Sequence, residues 1–373
     1  MAKSGMSRRS LFKTSLAVSA VGAAGVAFTA RVAEGAPNPG PKADPTIHGC
    51  DDWGARQPTG TILVENHKPT YIVVHHTAGA NSDDLSKDHA FAISRDIQNF
   101  HMDTRGWIDT GQQLTNSRGG HITEGRHRSL EVLRGGTKHV QGANVGNHNS
   151  EVIGIENEGL YTNVDVTPQL WDSLVALVSY IARQYGIAPE QIKGHRDFNS
   201  TECPGETLYA RLPELRDAVG GRLGVPVTQP PTWPLLKVGS AGTKVLAAQH
   251  LLRAAGVRDV PVDGVFSDST FRAVQGFTRE HGVTFDPCYA SRVADESGLL
   301  GAGGWPLITP TLHPGNQGDA VRAAQLLLSD GRISPAGVAD QSTVDGVRAA
   351  QSANGLPATG VIDARTWQAL LAR

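Results

Sequence analysis

Tyr71-Ile72-Val73-Val74-His75-His76 is a β-branched apolar run that ends in two histidines, the pattern of a buried strand delivering imidazole at its carboxyl end. Glu151-Val152-Ile153-Gly154-Ile155-Glu156 has the same character and ends in a carboxylate. Between and after them the period changes from strand to helix. Ser86 to Phe100 places Ala90, Ile93 and Ile97 at helical spacing, and Thr167 to Tyr185 carries Leu170, Leu174, Leu177, Val178 and Ile181 on one stripe. In the second segment Thr167-Pro168 supplies a cap and a first-turn proline, and Gly186 a stop. Strands alternating with such helices predict an α/β domain, a mixed β-sheet flanked by helices.

That domain is bounded by two Pro/Gly-rich breaks, Ala36 to Pro45 and Gly220 to Pro234, so it is expected over residues 46–219, with 220–234 as a linker. Beyond residue 234 the chain repeats itself. Gly239-Ser240-Ala241-Gly242-Thr243-Lys244-Val245-Leu246-Ala247-Ala248-Gln249 matches Gly315-Asn316-Gln317-Gly318-Asp319-Ala320-Val321-Arg322-Ala323-Ala324-Gln325, and Ser269-Thr270 matches Ser342-Thr343. Two small helical modules are therefore expected, residues 235–304 and 305–373. The first diverges after Gly282, with an insert around Cys288 and a glycine-rich stretch from Gly298 to Gly304.

The amino terminus has the pattern of an address. Ser7-Arg8-Arg9-Ser10-Leu11-Phe12-Lys13 is a twin-arginine pattern, followed by an apolar run from Leu16 to Phe28. Thirteen residues are too few to span a bilayer, which takes about 20. Residues 1–36 are thus expected to be a cleaved export signal, leaving a secreted or wall-associated protein without stable membrane insertion. The whole chain of 373 residues has a formal charge of −2; removal of residues 1–36 takes away five basic side chains and one acid, leaving −6. A mildly acidic mature chain argues against nucleic-acid binding. Three cysteines do not make a disulfide-built scaffold; if Cys203 ligates a metal, Cys50 and Cys288 are left either as a bridge or as two thiols.

The chemistry is concentrated in Gly194-His195-Arg196-Asp197-Phe198-Asn199-Ser200-Thr201-Glu202-Cys203-Pro204-Gly205, where His and Cys stand eight positions apart in a Gly/Asn/Pro loop. A surface loop of this kind can fold two ligands onto one ion. Most of the 14 histidines are expected to be bystanders. The combination of a strand-end His with a His and a Cys in a glycine-bounded loop gives N, N and S donors and no evident fourth. Such a set suits one catalytic zinc with a position left for water.

Val73-Val74-His75-His76-Thr77-Ala78-Gly79, Gly106-Trp107-Ile108-Asp109, Gly154-Ile155-Glu156 and the His195 to Cys203 loop, in this order, resemble the peptidoglycan-recognition-protein and type-2 amidase family over residues 48 to 218. The resemblance implies zinc ligands at His75, His195 and Cys203, with His76 a neighbour. It also implies as substrate the amide between the lactyl group of N-acetylmuramic acid and L-alanine in peptidoglycan. Many members place a tyrosine after an Asp-Ile-Gly motif, but Asp109-Thr110-Gly111-Gln112 has glutamine there. Relatives of the recycling type use a glutamate at the end of the Gly-Ile-Glu strand, which makes Glu156 the expected general base. Thr201, two residues before the cysteine, holds the position that assists the developing oxyanion. His76, Trp107, Asp109, Gln112, Asn144 and Arg126 are expected substrate contacts, Asn144 standing where relatives often have histidine. The repeated tail resembles the three-helix peptidoglycan-binding domain of wall hydrolases, and the whole chain is expected to act as a monomer on peptidoglycan. Two rivals are a non-catalytic sensor, which in the family lacks the zinc cysteine, and a zinc peptidase cutting the stem peptide, which resembles proteins with His-x-His or His-Glu-x-x-His pairs. Cys203 is present, and neither histidine pair occurs.

Overall fold

A computed structural model describes residues 44–283, 296–329 and 335–372. The export signal expected over residues 1–36 and Cys288 lie outside the described residues. No helix among the described residues is long and apolar enough to cross a membrane.

Eight strands form in the first domain: β1 (Ile47–His48), β2 (Val64–Glu65), β3 (Tyr71–His76), β4 (Leu114–Asn116), β5 (Ile122–Glu124), β6 (His139–Val140), β7 (Val152–Asn157) and β8 (Ile192–Gly194). Six of them make one sheet in the order β1-β5-β4-β7-β3-β8, and β2 pairs with β6 apart from it. The β4–β5 pair is antiparallel and the other four neighbouring pairs are parallel, so the sheet is mixed, as the alternating pattern implies.

Register assigns the faces. Ile72, Val74, Leu114, Ile153, Ile155 and Ile192 are buried in one cluster with Leu170, Leu174, Val178 and Ile181 of helix α4 (Pro168–Tyr185) and Leu215 and Val219 of helix α6 (Leu212–Leu223). Helix α4 is bounded as its sequence dictates: Thr167 accepts from Leu170 N at 3.2 Å, and Gly186 closes it with φ 73°. Side chains on a strand alternate faces, so the residues between these apolar ones look the other way. There Thr123, Thr115, Glu156 and His75 lie opposite one another across β5, β4, β7 and β3, a polar row over four neighbouring strands. Helix α2 (Lys87–Asn99), capped by Ser86, covers one end of this row, where Ser94 Oγ meets Thr123 Oγ1 at 2.8 Å, and the short helices α1 (Cys50–Trp53), α3 (Ser129–Gly135) and α5 (Glu206–Ala210) lie between the longer elements.

Among its described residues the tail supplies six helices: α7 (Thr243–Ala254), α8 (Asp268–Glu280), α9 (Trp305–Ile308), α10 (Asp319–Ser329), α11 (Gln341–Ala353) and α12 (Ala364–Leu371). Gln249 and Gln325, equivalent in the repeat, do equivalent work. Gln249 Oε1 accepts from Gly264 N at 2.8 Å and Gln325 Oε1 from Gly337 N at 2.8 Å, each holding a turn beside its first helix. Trp305 Nε1 donates to Pro234 O at 2.7 Å just as Trp367 Nε1 donates to Pro310 O at 2.7 Å. Trp305 therefore closes the first repeat, which continues through Ile308 and does not stop at residue 304 as the repeat pattern suggested. Its third helix is cut to one turn between Gly304 and Pro310. The two repeats share one apolar core, in which Val245, Leu251 and Leu252 of α7 join Val321, Ala324 and Leu327 of α10.

The linker is laid down on the first domain. Thr228 N donates to Glu190 Oε1 at 2.8 Å, and Arg216 Nη1 donates to Gln229 Oε1 at 3.1 Å.

Candidate metal centre

His75 arrives on β3, and its ring faces the polar side of the sheet because Val74 and Ile72 take the apolar side. The other two donors come from the chain that leaves β8. There a single 3₁₀ turn, His195–Asp197, is braced by Asp197, whose Oδ2 accepts from Gly194 N at 2.9 Å. The loop closes on itself where Arg196 N donates to Cys203 O at 3.0 Å. One N or S atom from each of His75, His195 and Cys203 lies within 4.8 Å of the others, and all three residues are buried. The two imidazole centroids are 4.6 Å apart, and Cys203 Sγ is 3.6 Å from His75 Nδ1.

Each donor is prepared by a neighbour. Burial lowers the His195 pKa to about 4 against the opposing effect of its Asn199 hydrogen bond, and His195 Nε2 meets Asn199 Oδ1 at 3.0 Å. Nε2 thus carries the hydrogen, and Nδ1 is left with the lone pair a metal needs. Burial and then the His195 and His76 charges push the His75 pKa well down, against the Asn144 side chain. The backbone N of His76 donates to Cys203 Sγ at 3.4 Å, a contact that favours thiolate. Buried neutral imidazoles, a sulfur supported by N–H and a set of three donors fit a borderline divalent ion; the same set without an ion would bury three polar groups around one point.

His76 is turned to the other side of β3. Its Nδ1 accepts from Tyr161 N at 3.4 Å, and burial first, then the His195 charge, lowers its pKa to about 3. Its backbone N and O, not its ring, are what meet Cys203 Sγ. Glu156, almost wholly buried, is the direct cross-strand partner of His75 and of Thr115. Thr115 Oγ1 accepts from Gln112 Nε2 at 2.9 Å, so Gln112 stands beside the same row. Asn144 lies over Gly154, where a Cβ would come within 2.3 Å of its Oδ1, and so a glycine is required two pairs before Glu156.

Other expected contacts are used up inside the fold. The Asp109 carboxylate accepts from Gln98 Nε2 at 2.8 Å and from His127 N and Nδ1, each at 2.8 Å. Burial pushes its pKa up, but those hydrogen bonds prevail and hold it below the usual carboxylate range. Arg126 is spent on the carbonyls of Thr110 at 2.7 Å and Gln141 at 2.9 Å. Trp107 is half-buried and stacks on His101 with centroids 4.6 Å apart.

The expectation of an oxyanion donor at Thr201 gives way to a different arrangement. Its hydroxyl donates to Glu296 Oε2 at 2.9 Å and accepts from Cys203 N at 3.1 Å, so the hydroxyl stands between the Glu296 carboxylate and the Cys203 backbone. Glu296 belongs to the tail. Its other oxygen accepts from Glu202 N at 3.0 Å, and Lys237, also of the tail, meets the Glu202 carboxylate at 2.9 Å. The sequence reading missed Asn199 and Glu296. Asn199 stands four residues after His195 within the loop; Glu296 adjoins the glycine-rich stretch where the first repeat diverges.

Cys50 is a buried free thiol whose Sγ donates to Gly125 O at 3.5 Å, and burial, followed by the Glu124 charge, pushes its pKa far above the ordinary thiol value.

Comparison with known proteins bears on all of this. A family model described as N-acetylmuramoyl-L-alanine amidase matches residues 65–206, and a peptidoglycan binding domain model matches residues 317–370. Peptidoglycan-recognition protein SC2 of Drosophila melanogaster is 32% identical over 168 residues, which are 45% of this chain and 84% of that protein. The N-acetylmuramoyl-L-alanine amidase of Homo sapiens is 28% identical over 170 residues, 45% of this chain and 28% of that protein. Among solved structures, wild-type Drosophila PGRP-LB is 28% identical, with 45% of this chain and 92% of that one covered and a TM-score of 0.40. A first domain that matches a recognition protein along most of that protein's length, and an amidase family model spanning His75 to Cys203, place the chain in the family of peptidoglycan-recognition proteins and N-acetylmuramoyl-L-alanine amidases.

Proposed function

We propose that this protein is a zinc-dependent N-acetylmuramoyl-L-alanine amidase, which hydrolyses the amide joining the lactyl group of peptidoglycan to L-alanine. The observation that carries the reading is the convergence of His75, His195 and Cys203 to within 4.8 Å, a donor set that includes the sulfur. When bound there, zinc supplies a Lewis acid for the scissile carbonyl oxygen and for the attacking water.

The remaining work falls to the chain. Hydrolysis of an amide needs a proton taken from water and given to the departing amine. Glu156 is suited to both transfers: it is carboxylate-bearing, buried, and held opposite His75 by the parallel ladder. His76 N–H steadies the sulfur, and Asn199 orients the His195 ring. Gln112, in place of a tyrosine, braces Thr115 next to Glu156 and has no acidic proton to give.

The amidase unit is assigned to residues 46–219 and the wall-holding tail to the two repeats from residue 235 onward; a match of a peptidoglycan binding domain model to residues 317–370 supports the second. Residues 1–36 are assigned to export by the twin-arginine route, which places the mature, monomeric protein at the cell wall. Digestion of purified peptidoglycan tests the activity. New amino-terminal alanine with lactyl-ended glycan is the expected product. Binding without product assigns a recognition protein instead, and cuts within the stem peptide assign a peptidase.

A further inference from the structure

The two tail repeats differ where they approach the metal loop. Twenty-three positions separate Gly282 from Trp305, whereas twelve separate the equivalent Gly355 from Trp367, so the first repeat holds eleven extra residues. Glu296 lies close to the end of that extra length, just before the strand-like bridge of Leu236 with Leu300. The glycines that follow let the tail approach closely: a Cβ on Gly301 would lie 3.3 Å from Ser200 Cα, and one on Gly303 would lie 3.5 Å from Ser200 Oγ. The extra residues therefore end against the loop that carries Cys203.

Two donors converge on Glu296 there, Thr201 Oγ1 at 2.9 Å and Glu202 N at 3.0 Å, and a carboxylate is the side chain with an acceptor atom for each. Thr201 and Glu296 are buried, at 1% and 5% exposure, so water does not replace either bond cheaply. The chain continues inward, since Thr201 Oγ1 accepts from Cys203 N at 3.1 Å. A carboxylate, a hydroxyl and the backbone of the sulfur donor are thus linked in series.

We propose that Glu296 is a positioning residue of the metal centre, supplied by the tail, which sets the sulfur of Cys203 through Thr201 and the Glu202 backbone. This rests on the reading that the three donors bind a divalent ion. The tail is then a component of the site as well as a means of holding substrate, because without it the loop loses both bonds that fix its last turn before Cys203. Groups that orient a ligand from outside the coordination sphere typically govern metal affinity by about 10- to 100-fold.

The test uses the full-length chain stripped of metal and titrated with Co²⁺ and Zn²⁺ against a chromophoric chelator, with the cobalt–thiolate absorption recorded alongside. Wild type is expected to bind, Glu296→Ala to bind about 10- to 100-fold more weakly with a shifted or weakened thiolate band, and its thermal midpoint to stay close to wild type. Glu296→Gln is expected to recover most of the affinity, because its amide oxygen still accepts from Glu202 N and its amino group meets the Thr201 oxygen. Thr201→Val interrupts the same chain from the loop side and is expected to lower affinity too, which keeps the test open should Glu296→Ala not fold. Wild-type affinity and an unaltered band in either folded variant overturn the inference while leaving the metal reading intact. A wild-type chain that binds neither ion overturns the metal reading and the inference together.

Discussion

The two halves of the candidate metal centre are held by different means. His75 and Glu156 are opposite members of a six-pair parallel ladder between β3 and β7, so their relative position follows from backbone register. His195 and Cys203 sit on a loop whose regular structure is one 3₁₀ turn, and it is kept in shape by side chains: Asp197 on Gly194, Asn199 on His195, Thr201 on Cys203 and, from 95 positions further along, Glu296 on Thr201. A sheet gives precision to whatever residue occupies a position. A loop has to obtain it from each neighbour separately, and is correspondingly easier to disturb.

The largest effect is expected in the loop half. Cys203→Ala should lose bound metal and reduce turnover to background, measured by metal analysis and by release of amino-terminal alanine from peptidoglycan; full turnover would dismantle the donor set. In the strand half, Glu156→Gln keeps register, charge being the main change, and should retain metal while kcat falls by about 10²- to 10⁴-fold. Near-wild-type kcat would move the proton transfers to another group. The comparison is sharpened by the asparagines beside each imidazole. Asn199→Ala should weaken metal binding by about 10- to 100-fold, whereas Asn144→Ala should cost less, because the ladder still positions His75. Equal losses in chelator competition would show that the strand confers no advantage.

The smallest effect is an acid dependence of the wall beside the site. His101 Nδ1 accepts from Gly111 N at 3.0 Å, and burial first, then Arg105 and Arg126, lower its pKa from 6.5 to about 3. The folded chain keeps this ring neutral while the unfolded chain protonates it below pH 6.5. Stability is therefore complete above that value and is lost as pH falls toward 3, by about 2 kcal/mol at pH 5 from this one group. Urea unfolding of the metal-free protein at pH 7 and pH 5 should show a smaller difference for His101→Gln than for wild type. An identical difference would remove His101 from the acid response.

What the sequence discloses follows the same division. β3, β7 and α4 are legible because their signals are local: β-branched runs for the strands, and Thr167, Pro168 and Gly186 for the helix ends. The three donors are legible for a related reason, since one ends a strand and two share a glycine-bounded loop. The internal bonds of Asp109 and Arg126 were not legible, because a polar side chain between strands does not announce which way it faces. Their partners, His127 and Gln98 for one and the Thr110 and Gln141 carbonyls for the other, emerge from folding. Asn199 was in plain view but is also what any Asn-rich loop contains. Glu296 has no periodic or motif signal at all, and its trace in the sequence is negative, a place within the stretch after Gly282 where the first repeat no longer resembles the second. The last helix of that repeat, one turn between Gly304 and Pro310, was similarly hidden by its brevity.

The linker has a mechanical consequence. It is fastened by Thr228 and Gln229 where it leaves the first domain, and its far end at Pro234 receives the Trp305 indole hydrogen. A chain stitched at both margins cannot pay out slack, so on the proposed amidase reading blade and grip would travel over a polymer lattice as a fixed caliper. The bonds within its bite would then be chosen by the spacing of the lattice, and lengthening residues 230–232 would widen that choice without touching a single reactive atom.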